Sequence, residues 1–140
     1  MASLPKRLRD AKKVAGVNPR IIVTDVEDEL STRYTVDSIE ALKRRYPGVS
    51  FVWIMGADLL TEVPKWKNWR QLFRSVPIAI FARPAYSSRA LSSKAARRFA
   101  GSRIARSRIG SLADMRPPAW AFLRTRLNRE SATRIRAREG

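Results

Sequence analysis

Phe51-Val52-Trp53-Ile54-Met55 is followed at once by Gly56-Ala57-Asp58. An unbroken apolar run with β-branched members reads as a strand covered on both faces, as in a parallel sheet. The glycine that ends it lets a ligand approach the backbone, and a carboxylate two residues on can accept bonds from a ribose diol. The same three residues also suit a plain turn in which Asp58 caps a helix.

Outward from that strand, the chain alternates. On the amino-terminal side, 35–46 predicts a helix, with Thr35 as N-cap, Asp37 in its first turn, and Val36, Ile39, Leu42 and Tyr46 at helical spacing. Pro47-Gly48 ends it. Before it lie a β-branched run, Ile21-Ile22-Val23, an acidic patch of Asp25, Glu27, Asp28 and Glu29, and a helix over 4–14 stopped by Gly16. On the carboxyl-terminal side come a helix over 66–73, a strand over 77–82 closed by Arg83-Pro84, and a helix over 93–100. A Ser- and Arg-rich stretch at 101–116 reads as a mobile loop, followed by a strand over 119–123 and a helical turn opened by Ser131-Ala132-Thr133. Strands alternating with helices define an α/β class: a Rossmann-like parallel sheet with helices on both faces. Ligands bind beyond the carboxyl ends of such strands.

Composition narrows the chemistry. The 140 residues contain no Cys and no His, which removes disulfides, thiolate zinc sites and any Cys or His catalytic group from this sequence. The longest uncharged apolar runs, 51–57 and 76–82, are far short of the roughly 20 residues a membrane span needs. The amino terminus has no apolar signal region, so a cytoplasmic protein is expected. Net charge is +17 and unevenly placed: residues 1–70 carry 13 basic and 9 acidic side chains, residues 71–140 carry 16 and 3. The second half therefore faces anions or is simply a solvated basic surface.

Two further groups of residues suit an anionic, ring-bearing ligand. Ser131, Thr133, Arg134 and Arg136 set hydroxyls and cations at a helix start, where free N–H groups favour phosphate; an N-capped basic tail is the plainer reading. Trp66 and Trp69, three apart on the expected helix and flanked by Lys65, Lys67 and Arg70, offer an indole face beside cations or, more commonly, core. The GxGxxG and GxxxxGK[ST] loops are absent.

Arg33-Tyr34-Thr35-Val36-Asp37-Ser38, Trp53-Ile54-Met55-Gly56-Ala57-Asp58, Trp66-Lys67-Asn68-Trp69, 77–84, and Ser131-Ala132-Thr133-x-Ile135-Arg136 occur in this order. The series resembles bacterial nicotinate-nucleotide adenylyltransferases of the HxGH nucleotidyltransferase superfamily, over nearly the whole chain and least over 85–118. The resemblance implies a Rossmann-like fold and transfer of AMP from ATP, supplied with Mg²⁺, to nicotinate mononucleotide, releasing pyrophosphate in NAD biosynthesis. It implies Thr35 at the nicotinate carboxylate, Trp66 stacked on the ring, and a backbone contact at Lys67. It implies Gly56 and Asp58 at the nucleotide, Arg83 near the phosphates, and Ser131, Thr133 and Arg136 cradling the ATP phosphates. Departures from the pattern are Leu59 for Asn, Ala85 for Gly after Arg-Pro, Glu130 for an apolar residue and Ala132 for Ser.

The family's HxGH pair is absent, since the sequence has no His. The expectation is a chain lacking a leading segment and its first strands, poorly soluble and inactive alone. No dedicated metal-binding carboxylate cluster is evident; Asp58 alone is weak. Two other readings stand beside this one: a basic nucleic-acid-binding protein, without any recognisable nucleic-acid motif, and a sister nucleotidyltransferase acting on pantetheine phosphate. Thr35 and Trp66 favour the nicotinate reading. A homo-oligomer is compatible with all three.

Overall fold

In the computed structural model, residues 4–15 and 34–124 are described. The expected strand at 21–23, the acidic patch after it, and Ser131, Thr133 and Arg136 with their helical turn lie outside the described residues. Helix α1 (Leu4–Ala15) carries an exposed Lys6–Asp10 ion pair at 2.7 Å.

Three parallel strands, β1 (Trp53–Gly56), β2 (Ile78–Phe81) and β3 (Trp120–Leu123), form one sheet in the order β1-β2-β3. Helix α2 (Thr35–Arg45) precedes β1; α3 (Ala57–Glu62) and α4 (Trp69–Ser75) connect β1 to β2; α5 (Ser87–Leu91) and α6 (Lys94–Arg98) lie between β2 and β3. The register lines up Trp53, Ile78 and Trp120 in one row and Met55, Ile80 and Phe122 in another. Both rows point to the same face, because alternate residues of a strand do. There they share a core with Val36 and Ile39 of α2, Leu60 of α3, Leu72 and Phe73 of α4, Ala90 of α5 and Ala95 of α6. Phe73 stacks on Phe99 at 4.6 Å, Trp69 meets both edge-on, and the Trp120 indole N–H donates to the Phe99 carbonyl at 2.7 Å.

The opposite face carries Ala79, Ala121, Phe81 and Leu123. Its small central alanines admit a close cover, supplied by the 3-10 turns over Arg106–Asp114, with Leu112 buried and Ile104, Ile109 and Met115 packed beside it. Residues 101–116, expected as a loop, thus hold 3-10 structure and an apolar stripe. Arg103 also bridges to Trp120, and the Ile104 N–H donates to the Trp120 carbonyl at 2.9 Å, which covers part of the outer edge of β3.

Other expectations require correction. Among the described residues strand β1 is covered on one face: Ile54, on the other, is 62% exposed, because the 3-10 cover packs on β3 and β2. Helix α3 starts directly at Ala57, with Gly56 as N-cap, so Asp58 stands in its first turn and caps nothing. Thr35 is the first residue of α2 and not its cap; Tyr34 holds the cap position and makes no side-chain capping bond to the helix. Trp66 and Trp69 do not share a helix. Asn68 adopts φ 52°, a left-handed conformation that asparagine tolerates, and α4 begins only after it. Helix α5 falls between the expected strand at 77–82 and the expected helix at 93–100, where the sequence predicted no element.

Candidate active site

The carboxyl ends of β1 and β2 lie side by side, with Gly56 paired to Phe81. Asp58 leaves the first end and Arg83 follows the second, and Arg83 Nε sits 3.3 Å from Asp58 Oδ1. Both side chains are close to half exposed, yet Oδ1 itself is enclosed and lacks a hydrogen bond of good geometry. The pair lies directly over Gly56: a Cβ there would collide with the Arg83 guanidinium and come within 2.6 Å of Asp58 Oδ1. Glycine is thus required by side-chain approach, its φ of −82° being open to any residue. Arg83 also opens a turn. Tyr86 N–H donates to the Arg83 carbonyl at 3.2 Å, with Pro84 next and Ala85 at φ 69°. Proline followed by a positive φ is the type II pattern.

A second group gathers at the start of α2. Tyr34, Thr35 and Val36 face Lys65, Trp66 and Lys67 of the connection into α4, and with Leu72 they line a cleft of about 320 Å³. Trp66 is half-buried, neither locked in the core as Trp69 is nor fully solvated. Among the described residues no side chain caps the α2 N-terminus. Lys65 is held by Glu62 at 3.1 Å. The ammonium of Lys67 lies 4.7 Å from the centroid of the Tyr34 ring. The cleft therefore combines an indole, a hydroxyl, open helix N–H groups and a cation, a set suited to a flat ring bearing an anion.

Sequence reasoning placed Thr35, Trp66 and Lys67 in one site, and the fold brings them together. Gly56, Asp58 and Arg83 likewise meet at the strand ends, and no residue lines both groups. Lys65, expected beside the Trp66 indole, lines the cleft as well, whereas Tyr34 was given no role there; the aromatic beside Thr35 was the available signal. Among the described residues no cluster of three or more carboxylates or other ligating side chains exists to hold a metal ion. Among the described residues the one carboxylate at the strand ends, Asp58, is already paired with Arg83, so a resident divalent ion does not fit this donor set. No helix among the described residues is long and apolar enough to cross a membrane.

This parallel α/β arrangement, with polar groups at its strand ends, is that of a nucleotide-handling domain, and residues 1–138 match the cytidylyltransferase-like family model. The chain is 45% identical over 138 residues to a probable nicotinate-nucleotide adenylyltransferase of Cereibacter sphaeroides, covering 97% of this chain and 71% of that protein. It is 44% identical over 134 residues to a counterpart in Caulobacter sp., covering 92% and 71%. The solved nicotinic acid mononucleotide adenylyltransferase of Plasmodium falciparum, complexed with APC, superposes with a TM-score of 0.59 at 14% identity, over 90% of this chain and 55% of that one, and so shares the fold. The chain belongs to the cytidylyltransferase-like nucleotidyltransferases and, among them, to the family of nicotinate-nucleotide adenylyltransferases.

Proposed function

We propose that this chain binds nicotinate mononucleotide in the cleft of Thr35, Trp66 and Lys67, and ATP across the carboxyl ends of β1 and β2, for adenylyl transfer between them in the cytoplasm. The observation that carries this reading is the convergence of a half-buried indole, a hydroxyl and a cation on the uncapped start of α2. The pyridine ring stacks on Trp66. Its carboxylate accepts from Thr35 and from backbone N–H groups at the α2 start and at Lys67. A cleft of this size takes the ring and its ribose and leaves the phosphate directed outward.

ATP occupies the strand ends. Asp58 accepts from the ribose once Arg83 swings aside, and Arg83 is then free for a phosphate. Ser131, Thr133 and Arg136 are assigned to the remaining phosphate oxygens. Mg²⁺ enters as part of the substrate, held by ATP oxygens and water, because the protein offers no carboxylate cluster for it among the described residues.

In the reaction, a phosphate oxygen of nicotinate mononucleotide attacks the α-phosphorus of ATP. A new P–O bond forms as the bond from that phosphorus to the bridging oxygen breaks, and pyrophosphate leaves with the electron pair. No covalent enzyme intermediate is needed, so catalysis is alignment and charge stabilisation. These 140 residues hold no histidine, so the side-chain cations this sequence offers the phosphates are arginines and lysines.

Calorimetric titration tests the reading. Nicotinate mononucleotide should bind the folded chain more tightly than pantetheine phosphate. Trp66→Ala should weaken it roughly tenfold or more, the order of one lost ring stack, with an unchanged circular dichroism spectrum. Equal affinity in the variant, or tighter binding of pantetheine phosphate, would overturn it.

A further inference from the structure

We infer that the side chain of Lys67 sets the preference of this cleft for the acid over the amide form of the pyridine ligand. The inference rests on the reading above and adds a role for the ammonium, beyond a backbone contact at that position.

Of the two lysines lining the cleft, Lys65 is neutralised: its ammonium pairs with Glu62 at 3.1 Å. Lys67 has no carboxylate partner among the described residues. Its ammonium lies over the Tyr34 ring, 4.7 Å from the centroid, and Tyr34 is itself a wall of the cleft. The ring's negative face holds the ammonium without cancelling its charge, so the cation is positioned at the cleft yet remains available. The uncapped start of α2 adds a partial positive charge on the same side. A carboxylate gains from both; a neutral amide of the same shape gains from neither, while stacking on Trp66 is common to the two. Selectivity in this cleft is therefore electrostatic, and Lys67 is its adjustable part.

The test compares dissociation constants of nicotinate and nicotinamide mononucleotides for the wild-type chain, Lys67→Met and Lys67→Arg, at low and high salt. Methionine keeps the length and apolar stem and removes only the charge. It should weaken the nicotinate form roughly three- to tenfold, the range between an exposed and a hydrogen-bonded ion pair. It should leave the nicotinamide form within about twofold, since an uncharged amide forms no ion pair with the lost ammonium. Arginine should restore most of the preference. Added salt should erode it more in the wild type than in Lys67→Met, where only the helix-terminus share remains. Equal weakening of both ligands by Lys67→Met would assign the residue a structural role and overturn the inference, as would an unchanged ratio. Binding of neither ligand to the folded wild type would overturn the function itself, and this inference with it.

Discussion

Ala85 stands at φ 69° in the turn that follows β2. A side chain in the left-handed region places its Cβ against the carbonyl oxygen, at roughly 1–2 kcal/mol. Ala85→Gly removes that strain. It also loosens the unfolded chain, which costs about 0.4–1 kcal/mol. The difference leaves a stabilisation of about 0.5–1 kcal/mol, or a rise in Tm of about 2–4 °C for a chain of this size. Ala85→Val should act oppositely, since a β-branched residue at positive φ is a steric outlier. Urea denaturation followed by circular dichroism reads both, with the slope m unchanged because the surface exposed is the same. The turn is closed by the 3.2 Å bond from Tyr86 N–H to the Arg83 carbonyl, so a relaxed turn should keep Arg83 in place and leave nucleotide affinity unaltered. A destabilised Ala85→Gly, or a Val variant as stable as the wild type, would refute the assignment of strain to this residue.

Four further outcomes are expected. Gly56→Ala should shift stability by no more than about 1 kcal/mol, because its Cβ displaces side-chain ends and breaks an exposed ion pair, yet ATP affinity should fall at least several-fold in a binding titration; unchanged affinity would separate the Asp58–Arg83 pair from the nucleotide site. Trp120→Phe should destabilise by about 1–3 kcal/mol, from a buried cavity and the lost indole bond to the Phe99 carbonyl, which keeps its bond from Ser102 N–H, and a loss under about 0.5 kcal/mol in urea melts would contradict the 2.7 Å bond. Leu112→Ala should cost about 2–3 kcal/mol if the 3-10 segment seals the second face of the sheet, whereas a freely moving loop would lose almost nothing. Asp10 should titrate below 3.8 by NMR, chiefly because Lys6 donates a hydrogen bond to it; its folded pKa being the lower one, the pair's help to α1 is present above the unfolded value and fades as pH falls through the folded one, and a pKa at or above 3.8 would show that the pair does not form.

The legibility of the fold varied with the distance over which its causes act. Three apolar runs became three parallel strands because a strand buried between layers must be apolar nearly throughout. Helix α2 was readable from Val36 and Ile39 at helical spacing. Helix α3 was not, since Ala57–Glu62 is only 6 residues long and too short to show a period. The start of α4 was misread because one backbone conformation, at Asn68, separates two tryptophans whose spacing fits a single helix. The 3-10 cover at 106–114 was hidden by its charged residues: Ile109 and Leu112 pack on the sheet while Arg106, Arg108 and Asp114 on either side of them are exposed. In the candidate site, Thr35, Trp66, Gly56, Asp58 and Arg83 were legible as residue types in order, whereas Tyr34 and the pairing of Lys65 with Glu62 were not.

What the chain determined by itself is what local chemistry determines: strands where β-branched and aromatic residues run together, the stop at Pro47-Gly48, and a glycine at the end of β1. Tertiary structure alone decided which polar residues meet. Arg83 lies far along the chain from Asp58, and only the parallel register of β1 and β2 brings them to 3.3 Å. Trp66 reaches Thr35 only because α4 packs against α2. Such contacts depend on how layers stack, and no spacing along the sequence encodes them.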